Sequence, residues 1–481
     1  MLIQGLARLL ATTDLPRQRA LALALRQAIH QGQLLAGARL PASRALAADL
    51  GIARNTVLYA YEQLVAEGYL VADRQGTRVA NLPVAETGAV TELPALSTRA
   101  TAMVHSPAGD DGSAIPFALG GVALEAFPFR RWRAAMDRAW QQASARQLGY
   151  AAAGGEMALR EAIADHLRGF RGLPVTAAQV LITSGTQAAL DLVARVFADS
   201  GDIAWVENPG YVIGRAALSL AGLQLHPVAV DGEGMAPQPD DWKDFSPRLI
   251  VLTPSHQFPS GRVLSLARRM ALVEQAARAG AWLVEDDYGS EYFACAPLPP
   301  LFGLRPNAPV LYVGGFSKTL YPGLRLGYLI VPAALAERVA HIARSATRLG
   351  QGIEQAALAD FLRRGDYIRH LRNLRAIYAE RRDVLCAALR QGLGNMFEIE
   401  GDTAGLHIVL HLPNTVSDVV VSQRASEAGL LCRPLSQFCL PPLRENGLVL
   451  GYGAVPAERI AAAVTRLVQV IASVAAGRAG D

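Results

Sequence analysis

Lysine is almost missing from this chain of 481 residues. Of its 46 basic residues only Lys243 and Lys318 are lysines, and the others are arginines. Arginine can replace lysine as a charge, but only a primary amine forms an imine with an aldehyde. Lys318 follows the apolar run Val310-Leu311-Tyr312-Val313, which predicts a buried strand. We therefore interpret Lys318 as a Schiff-base lysine at the edge of a sheet; the alternative is an ordinary surface lysine.

Cysteine and charge are also scarce. The four cysteines form no CxxC pair and no disulfide framework, which is typical of a reducing cytosol. Only 18% of the residues are charged and 51% are hydrophobic, so the composition predicts a large core and excludes disorder. The apolar first ten residues are too short for a signal peptide, and Arg466 interrupts the run 460–476. We expect a cytoplasmic protein with no membrane span and no metal site.

The net charge of +4 lies at one end of the chain. Residues 1–80 contain nine arginines and five acidic residues, whereas the rest of the chain contains 37 residues of each sign. This asymmetry favours a nucleic-acid-binding module joined to a neutral body. A solvated basic face is the alternative.

The pattern within residues 1–80 indicates helices and a hairpin. Apolar spacing predicts a helix from Pro16 to His30, a short helix from Ser43 to Leu50 capped by Ser43, and a third from Arg54 to Glu67. Residues 69–72 and 77–80 alternate like two short strands. Helix, turn, helix and hairpin together are typical of a winged helix-turn-helix. Residues 81–113 show no periodicity and predict a linker.

From about residue 114, short apolar runs alternate with helical segments, which predicts an α/β domain with a mostly parallel sheet. In such sheets ligands bind beyond the carboxyl ends of the strands. Ser184-Gly185-Thr186 follows one run and opens a helix, where backbone amides bind phosphate. Asp286 ends another run and is suited to pair with a protonated pyridine nitrogen, and Tyr288 is suited to a ring hydroxyl.

Two further residues complete this ordered set. Arg325, seven residues after Lys318, can reach a phosphate with its forked guanidinium, and Tyr211 offers a flat face to a ring. Each motif alone has a plain structural explanation: a helix start, an acidic turn or a core tyrosine. The prediction of a cofactor site depends on their joint occurrence at strand ends.

These motifs resemble known families. The chain from about 115 to 481 resembles a fold-type-I aminotransferase that uses pyridoxal 5′-phosphate. Residues 39–44 and 54–57, Arg-Leu-Pro-Ala-Ser-Arg and Arg-Asn-Thr-Val, resemble a GntR-type winged helix. Together with the segment 253–261, Thr-Pro-Ser-His-Gln-Phe-Pro-Ser-Gly, they resemble the MocR group of bacterial transcription regulators.

The resemblance implies three regions: a winged helix-turn-helix DNA-binding domain over 1–80, a linker over 81–113, and an aminotransferase-like domain over 114–481 for pyridoxal phosphate binding and dimerisation. It implies that Lys318 forms the Schiff base, Asp286 binds the pyridinium, Tyr288 binds the phenolate and Tyr211 stacks. The implied phosphate ligands are Ser184, Gly185, Thr186 and Arg325, with Tyr150 lent by the neighbouring subunit. The implied DNA contacts are Arg39, Ser43, Arg44, Arg54, Asn55, Thr56 and Gly76.

The sequence departs from these families at three positions. Phe258 stands where aminotransferases carry an asparagine that bonds the ring phenolate, which argues against efficient transamination. Gly315 replaces a frequent phosphate-binding hydroxyl, and Ala53 replaces the serine usual before Arg-Asn-Thr, which weakens the helix cap by about 1 kcal/mol.

The expected function is a homodimeric transcription regulator that binds double-stranded operator DNA. It would sense pyridoxal phosphate or an amino compound through exchange of the Lys318 imine. Arg433 and Arg444 are candidates for binding an effector carboxylate. Two alternatives stay open: an active aminotransferase with a DNA-binding appendage, and a regulator whose large domain is only a dimerisation scaffold.

Overall fold

The computed structural model describes residues 15–81, 95–103, 115–292, 298–347, 349–394 and 397–477, together with Leu6 and Leu10. The chain divides into two compact units, Met1–Ala95 and Leu96–Asp481. The expected linker 81–113 is described only at its start and over 95–103. There, Thr98–Met103 forms a short helix, and Arg99 Nη1 donates to the Leu220 carbonyl at 3.2 Å. This part therefore packs on the larger unit and is not a free linker.

Within the described residues 15–81, the smaller unit has three helices and a hairpin, which confirms the winged helix-turn-helix. Its elements are α1 (Arg17–His30), α2 (Ser43–Leu50), α3 (Arg54–Ala66), β1 (Leu70–Asp73) and the antiparallel β2 (Gly76–Val79). Leu25, Leu46 and Leu64 are buried where the helices meet, because each helix presents one apolar stripe. The predicted cap by Ser43 is wrong, since the N-cap is Ala42 and makes no side-chain hydrogen bond. Ser43 is instead the first helical residue, and its Oγ accepts from Arg54 Nε at 3.4 Å.

A mixed sheet of eight strands forms the centre of the larger unit. Its order is β3-β10-β9-β8-β7-β4-β5-β6. The strands are β3 (Val180–Thr183), β4 (Ile203–Asn208), β5 (Gln224–Asp231), β6 (Gly234–Met235), β7 (Leu249–Leu252), β8 (Trp282–Asp286), β9 (Val310–Gly315) and β10 (Gly327–Ile330). Only β10 and β6 run against the other six. The mostly parallel sheet is confirmed, and its central strands are buried and mostly apolar because helices cover both faces; β4 and β8 carry polar residues at their carboxyl ends.

Helices surround this sheet, and the longer ones bury an apolar stripe in the core of the larger unit. In chain order the helices are α4 (Thr98–Met103), α5 (Phe129–Gln141), α6 (Ala145–Leu148), α7 (Met157–Arg171), α8 (Thr186–Phe197), α9 (Val212–Leu220), α10 (Pro239–Asp244), α11 (Leu266–Ala279), α12 (Ala336–Thr347) and α13 (Gly352–Arg363). Helix α8 is representative, because Leu190, Val193 and Phe197 lie on one side of it and are buried against strands β3, β4 and β9.

The C-terminal part of the larger unit has its own core. An antiparallel sheet of order β11-β12-β14-β13 is covered by long helices. Its elements are α14 (Asp366–Leu393), β11 (Ile399–Glu400), β12 (His407–His411), α15 (Asp418–Glu427), β13 (Arg433–Pro434), β14 (Gly447–Gly451) and α16 (Ala457–Gly477).

Helix α16 corrects one expectation. By length and composition it is apolar enough to cross a membrane, although Arg466 lies within it. Core helices pass the same test, and Ile460, Leu467 and Ile471 of α16 are buried in the C-terminal core. The helix is therefore explained by its packing on α14.

Candidate functional site

Six parallel strands end at one edge of the central sheet, and a cavity of about 190 Å³ opens beyond five of them, β3, β4, β7, β8 and β9. The chain continues from these ends into the loops that hold the polar motifs. The cavity brings together five of the residues expected to bind a cofactor: Thr186, Tyr211, Asp286, Tyr288 and Lys318. They come from segments up to 132 residues apart in the chain. Parallel strands place them together because their carboxyl ends meet at the same edge.

Lys318 projects its amine into this cavity from the loop after β9. Its Nζ donates to the carbonyl oxygen of Gly120 at 2.9 Å. The backbone of Lys318 is also held, since the Tyr292 hydroxyl donates to its carbonyl oxygen. Gly120 has a φ of +78°, and a Cβ built there would lie 2.9 Å from Lys318 Nζ. Glycine at position 120 therefore keeps the space in which the amine moves.

Asp286 and Tyr288 present buried polar atoms to the same cavity. Within the described residues, Asp286 Oδ1 and the Tyr288 hydroxyl have no hydrogen-bond partner. Burial, with a contribution from Asp287, raises the pKa of Asp286 to about 7. Burial raises the pKa of Tyr288 well above its usual value, so its hydroxyl is a donor at neutral pH. A buried carboxylate of this kind needs a cationic partner, and a protonated pyridine nitrogen fits that requirement.

The loop after β3 and the start of α8 form a cup beside the cavity. Gly185 is the N-cap of α8 at a φ of +93°, and a Cβ built there would lie 3.2 Å from Arg325 Nη2. Arg325 Nη2 also donates to the carbonyl oxygen of Ser184 at 3.1 Å. The guanidinium thus lies over the helix N-terminus, where both positive groups are suited to a phosphate. Of the four expected phosphate ligands, Thr186 lines the cavity, whereas Ser184, Gly185 and Arg325 are not part of its lining.

Gly315, the last residue of β9, also lies next to this cup. A Cβ at Gly315 would lie 2.9 Å from Thr186 Cγ2. The sequence departure at Gly315 therefore has a steric reason, because a larger side chain would collide with α8 at its first turn.

Asp287, next to Asp286, is turned away from the cavity and anchors the end of β8. It forms a buried ion pair with Arg171 at 3.1 Å and accepts from the hydroxyls of Tyr312 at 2.5 Å and Ser290 at 2.7 Å. These bonds satisfy Asp287 fully, so Asp286 remains the carboxyl group of β8 that faces the cavity.

Aromatic side chains form one wall of the cavity. Phe258 lies edge-to-face against His407 at 4.9 Å, Phe438 at 5.4 Å and Tyr211 at 5.8 Å between ring centroids. Because a carbonyl oxygen only accepts, the 2.9 Å contact between His407 Nε2 and Pro259 makes Nε2 the protonated nitrogen. Burial, with a smaller effect of the Lys318 charge, lowers the pKa of His407 to about 4. His407 is therefore neutral.

Gly120, His407 and Phe438 belong to the cavity but were not identified from the sequence. They come from a loop before α5, from β12 and from the segment after β13, and none of them lies in a motif. Only the approach of the C-terminal sheet to the central sheet brings them together.

The two arginines considered for an effector carboxylate lie in different places. Arg433, at the start of β13, lines the cavity together with Gln437. Arg444 is exposed and does not line it. Tyr150 is 75% exposed and also lies outside the cavity lining, so its expected role requires a second subunit.

In the smaller unit, the residues expected to contact DNA lie on the accessible side of α2, α3 and the hairpin. Helix α3 is oriented by Val57, Ala60 and Leu64, which are buried. Its N-cap Ala53 makes no side-chain bond, as the sequence departure predicted. The exposed members of the set are Arg39, Arg44, Arg54, Asn55 and Gly76, and the half-buried ones are Ser43 and Thr56.

Comparison with known proteins agrees with this architecture. Residues 17–79 match the family described as bacterial regulatory proteins, gntR family, and residues 117–467 match aminotransferase class I and II. A solved structure of LysN, the α-aminoadipate aminotransferase of Thermus thermophilus, complexed with N-(5′-phosphopyridoxyl)-L-leucine, superposes with a TM-score of 0.68 at 28% identity. The match covers 79% of this chain and 96% of that one. The protein is thus a winged helix-turn-helix joined to a fold-type-I aminotransferase domain.

Two regulators are similar over nearly the whole chain. One is the probable rhizopine catabolism regulatory protein MocR of Rhizobium meliloti, 38% identical over 456 residues, which are 92% of this chain and 91% of that protein. The other is the pyridoxine biosynthesis transcriptional regulator PdxR of Corynebacterium glutamicum, 33% identical over 457 residues, which are 92% of each chain. The chain belongs to the MocR group of GntR-type transcription regulators.

Proposed function

We propose that this regulator uses pyridoxal 5′-phosphate to sense either the cofactor itself or an amino compound, and transmits the result to operator DNA. The observation that carries the proposal is the arrangement of one cavity. Lys318, Asp286 and Tyr288 all line it, and Asp286 Oδ1 and the Tyr288 hydroxyl have no hydrogen-bond partner among the residues that the structure describes. Beside them lies a helix N-terminus with an arginine across it. Amine, acid, phenol and phosphate cup match the functional groups of pyridoxal phosphate one by one.

Each residue then has a defined task. Pyridoxal phosphate supplies an aldehyde that condenses reversibly with primary amines. Asp286 binds the protonated ring nitrogen, Tyr288 donates to the ring oxygen, and Tyr211 covers the ring. Ser184, Gly185, Thr186 and Arg325 bind the phosphate, and Lys318 supplies the amine.

Effector binding has a route to the rest of the domain. An amino compound that took the place of Lys318 would leave its amine free to donate to the Gly120 carbonyl, which Nζ contacts at 2.9 Å. The same segment forms an antiparallel bridge between Phe117 and Gly451, in which Gly451 N donates to Phe117 O at 2.9 Å. A shift at Gly120 is therefore passed to β14 of the C-terminal sheet. If the domain has two conformations that differ in the packing of this sheet and in their affinity for the effector, effector binding shifts the population toward the conformation that binds it more tightly.

The cavity lining favours an effector with an anionic group and an apolar body. Arg433 and Gln437 lie at its polar part, and Phe258, Phe438 and Ile213 contribute apolar surface. Arg433 is the better candidate of the two arginines, because Arg444 does not line the cavity.

The protein is proposed to act inside the cell as a homodimer. Phe129, Trp140, Leu148 and Tyr150 are 57–75% exposed, and a second copy is a suitable cover for such apolar surface. Operators of helix-turn-helix regulators are usually repeated half-sites, which dimers match. Sedimentation of the full chain at micromolar concentration tests this point, and a monomer would contradict it.

An absorbance spectrum with chemical trapping tests the main proposal. Protein mixed with pyridoxal phosphate is reduced with borohydride and digested, and the labelled lysine is identified. We expect label at Lys318 and none at Lys243, the other lysine of the chain. Label at Lys243 alone, or at neither residue, would refute the proposal.

A working aminotransferase is the second candidate, and the structural similarity to an aminotransferase favours it. Phe258 argues for slow turnover, because its ring offers no hydrogen bond to the ring oxygen. Single-turnover conversion of bound cofactor, followed by regeneration with a keto acid, distinguishes a working aminotransferase from a sensor. Repeated turnover at rates of about 1 s⁻¹ or more, the ordinary range of enzymes, would favour the enzyme.

A further inference from the structure

A second, smaller cavity lies directly behind the first. Its volume is about 30 Å³, and Tyr211, Thr253 and Asp286 line both cavities, so these three residues form the wall between them. The charged residues that line only the second cavity are Glu207 and Arg215. The rest of the lining is mostly apolar, so Glu207, Arg215 and Asp286 supply the charged groups of this cavity. A cavity needs roughly 10–15 Å³ and two to four polar partners to hold a water molecule, so this one has room for one. Asp286 therefore faces the proposed cofactor on one side and the second cavity on the other.

Glu207, the penultimate residue of β4, is buried and firmly held. Its Oε2 accepts from Thr253 N at 3.1 Å, from Thr253 Oγ1 at 2.6 Å and from Gln257 Nε2 at 3.4 Å. These bonds favour the charged form of Glu207, but burial outweighs them and raises its pKa to about 7. The negative charge of Asp286 acts in the same direction.

Arg215 is the cation of the second cavity. Its Nη2 donates to the carbonyl oxygens of Gly210 at 2.9 Å and Phe438 at 2.8 Å, and its Nη1 has no partner within the described residues. Burial lowers its pKa to about 10, so it stays charged at neutral pH. Arg215 thus provides a positive charge and a donor for a bound water molecule.

The other ionisable groups around the two acids come from four segments. They are Glu285 and Asp287 on either side of Asp286, Tyr211 at the start of α9, Tyr288 after β8, Lys318 after β9, and Arg325 before β10. Asp287 is paired with Arg171 at 3.1 Å and lines neither cavity. Glu285 accepts from Phe302 N at 3.1 Å and also lines neither cavity. Glu207 is therefore the acid that shares the second cavity with Asp286.

We propose that Glu207 is a positioning residue for Asp286, and that the two carboxyl groups share one proton through a water molecule bound in the second cavity. When a cation binds Asp286 from the first cavity, the proton of Asp286 passes through that water to Glu207. The pair keeps one proton and one negative charge throughout, and the charge moves next to the cation. The inference rests on the proposed function only for the identity of that cation, the protonated ring nitrogen.

Infrared titration of the cofactor-free protein tests the proton sharing directly. The carbonyl stretch of protonated carboxyl groups is followed from pH 5 to pH 9, and Asp286→Asn assigns the Asp286 band. Two acids that share a proton lose it in two separated steps. In Glu207→Gln we expect Asp286 to ionise in one step, lower by about one pH unit or more, because its negative neighbour is gone. An unchanged Asp286 titration would overturn the proposal.

Glu285→Gln is the matched control. Glu285 is also a buried glutamate with a pKa raised to about 7, yet it lines neither cavity. Glu285→Gln should lose the carbonyl band of Glu285 and leave the ionisation step of Asp286 at the same pH. If it shifted Asp286 as much as Glu207→Gln does, the effect would be a general one of buried charge and the proposal would be wrong.

Thr253→Val covers the case in which Glu207→Gln fails to fold. It keeps both acids but removes the hydroxyl that donates to Glu207 at 2.6 Å. The ionisation step of Glu207 should move to higher pH. If that step did not move, the proposed arrangement of Thr253 and Glu207 would be contradicted. None of these measurements uses pyridoxal phosphate. A failure to label Lys318 with borohydride would therefore refute the proposed function and leave this result unaffected.

Discussion

Lys318 and Gly120 are joined by a hydrogen bond of 2.9 Å between Nζ and the carbonyl oxygen, although 198 residues separate them in the chain. The contact requires glycine at position 120 for two reasons. The backbone of Gly120 is left-handed, and a Cβ would reach the lysine nitrogen. The loop before α5 is thus part of the amine's environment, and its sequence is constrained by a residue in the loop after β9.

Gly120→Ala should reduce the yield of the borohydride-trapped adduct at Lys318. The added methyl would lie 2.9 Å from Nζ and displace the amine. Gly280→Ala is the control, because Gly280 has a φ of +68° and no atom within 4 Å of a Cβ. Both variants lose roughly 1–2 kcal/mol of stability from the left-handed backbone, which thermal unfolding measures. Equal trapping in the two would show that the space at Gly120 is unimportant.

Lys318→Ala should abolish the imine absorbance and any response to amines while the protein stays folded. The folded state loses the hydrogen bond from Nζ to the Gly120 carbonyl, worth about 1 kcal/mol. Lys318→Arg should not restore the absorbance, because a guanidinium does not replace the amine. Lys243→Ala is the control and should behave like the wild type, since Lys243 is exposed on α10. Absorbance retained in Lys318→Ala would contradict the assignment.

Asp286→Asn should change how the stability of the cofactor-free protein depends on pH. The folded pKa of Asp286 is about 7, above its ordinary 3.8. Between these values the unfolded chain ionises this group while the folded chain keeps it protonated, so it destabilises the fold increasingly as pH rises. The variant should gain stability over the wild type by about 1.4 kcal/mol per pH unit in that window, with a plateau above it.

Denaturant titrations at pH 5, 6 and 7 measure this difference, and the comparison cancels the opposing effect of the buried histidines. Pyridoxal phosphate binding should weaken in the same variant by roughly 1.5–3 kcal/mol, because a charged partner of the ring nitrogen is lost. A constant stability difference across the three pH values would contradict the buried, protonated state of Asp286.

Arg54→Ala should weaken DNA binding and leave cofactor binding unchanged. Arg54 is the first residue of α3 and is exposed. If it reads a guanine edge, specific binding should fall by about 1–3 kcal/mol. If it contacts phosphate, binding to all sequences should fall alike and the salt slope should decrease by about one. Anisotropy titrations on operator and random DNA at two salt concentrations distinguish these cases. Wild-type affinity on both would show that α3 does not contact DNA at Arg54.

Much of the architecture could be predicted from local signals. Apolar periodicity located the three helices and the hairpin of the smaller unit within one or two residues of the bounds seen in the structure. Continuous apolar runs indicated the parallel strands, because a strand buried on both faces has no polar side. The near absence of lysine singled out Lys318, and the order of motifs at strand ends placed Asp286 and Thr186 near it.

Other features depend on contacts between distant segments, and no local pattern encodes them. Ser43 lies near a helix start but contacts Arg54 instead of capping. Arg433 lines the cavity and Arg444 does not. Arg433 is the first residue of β13, and the pairing of β13 with β14 places it at the cavity. In the sequence, Glu207 is one more polar residue after a predicted strand. Its place behind Asp286 follows from the packing of β4, β7 and β8, since burial and the charge of a neighbouring carboxyl arise only when those strands are assembled.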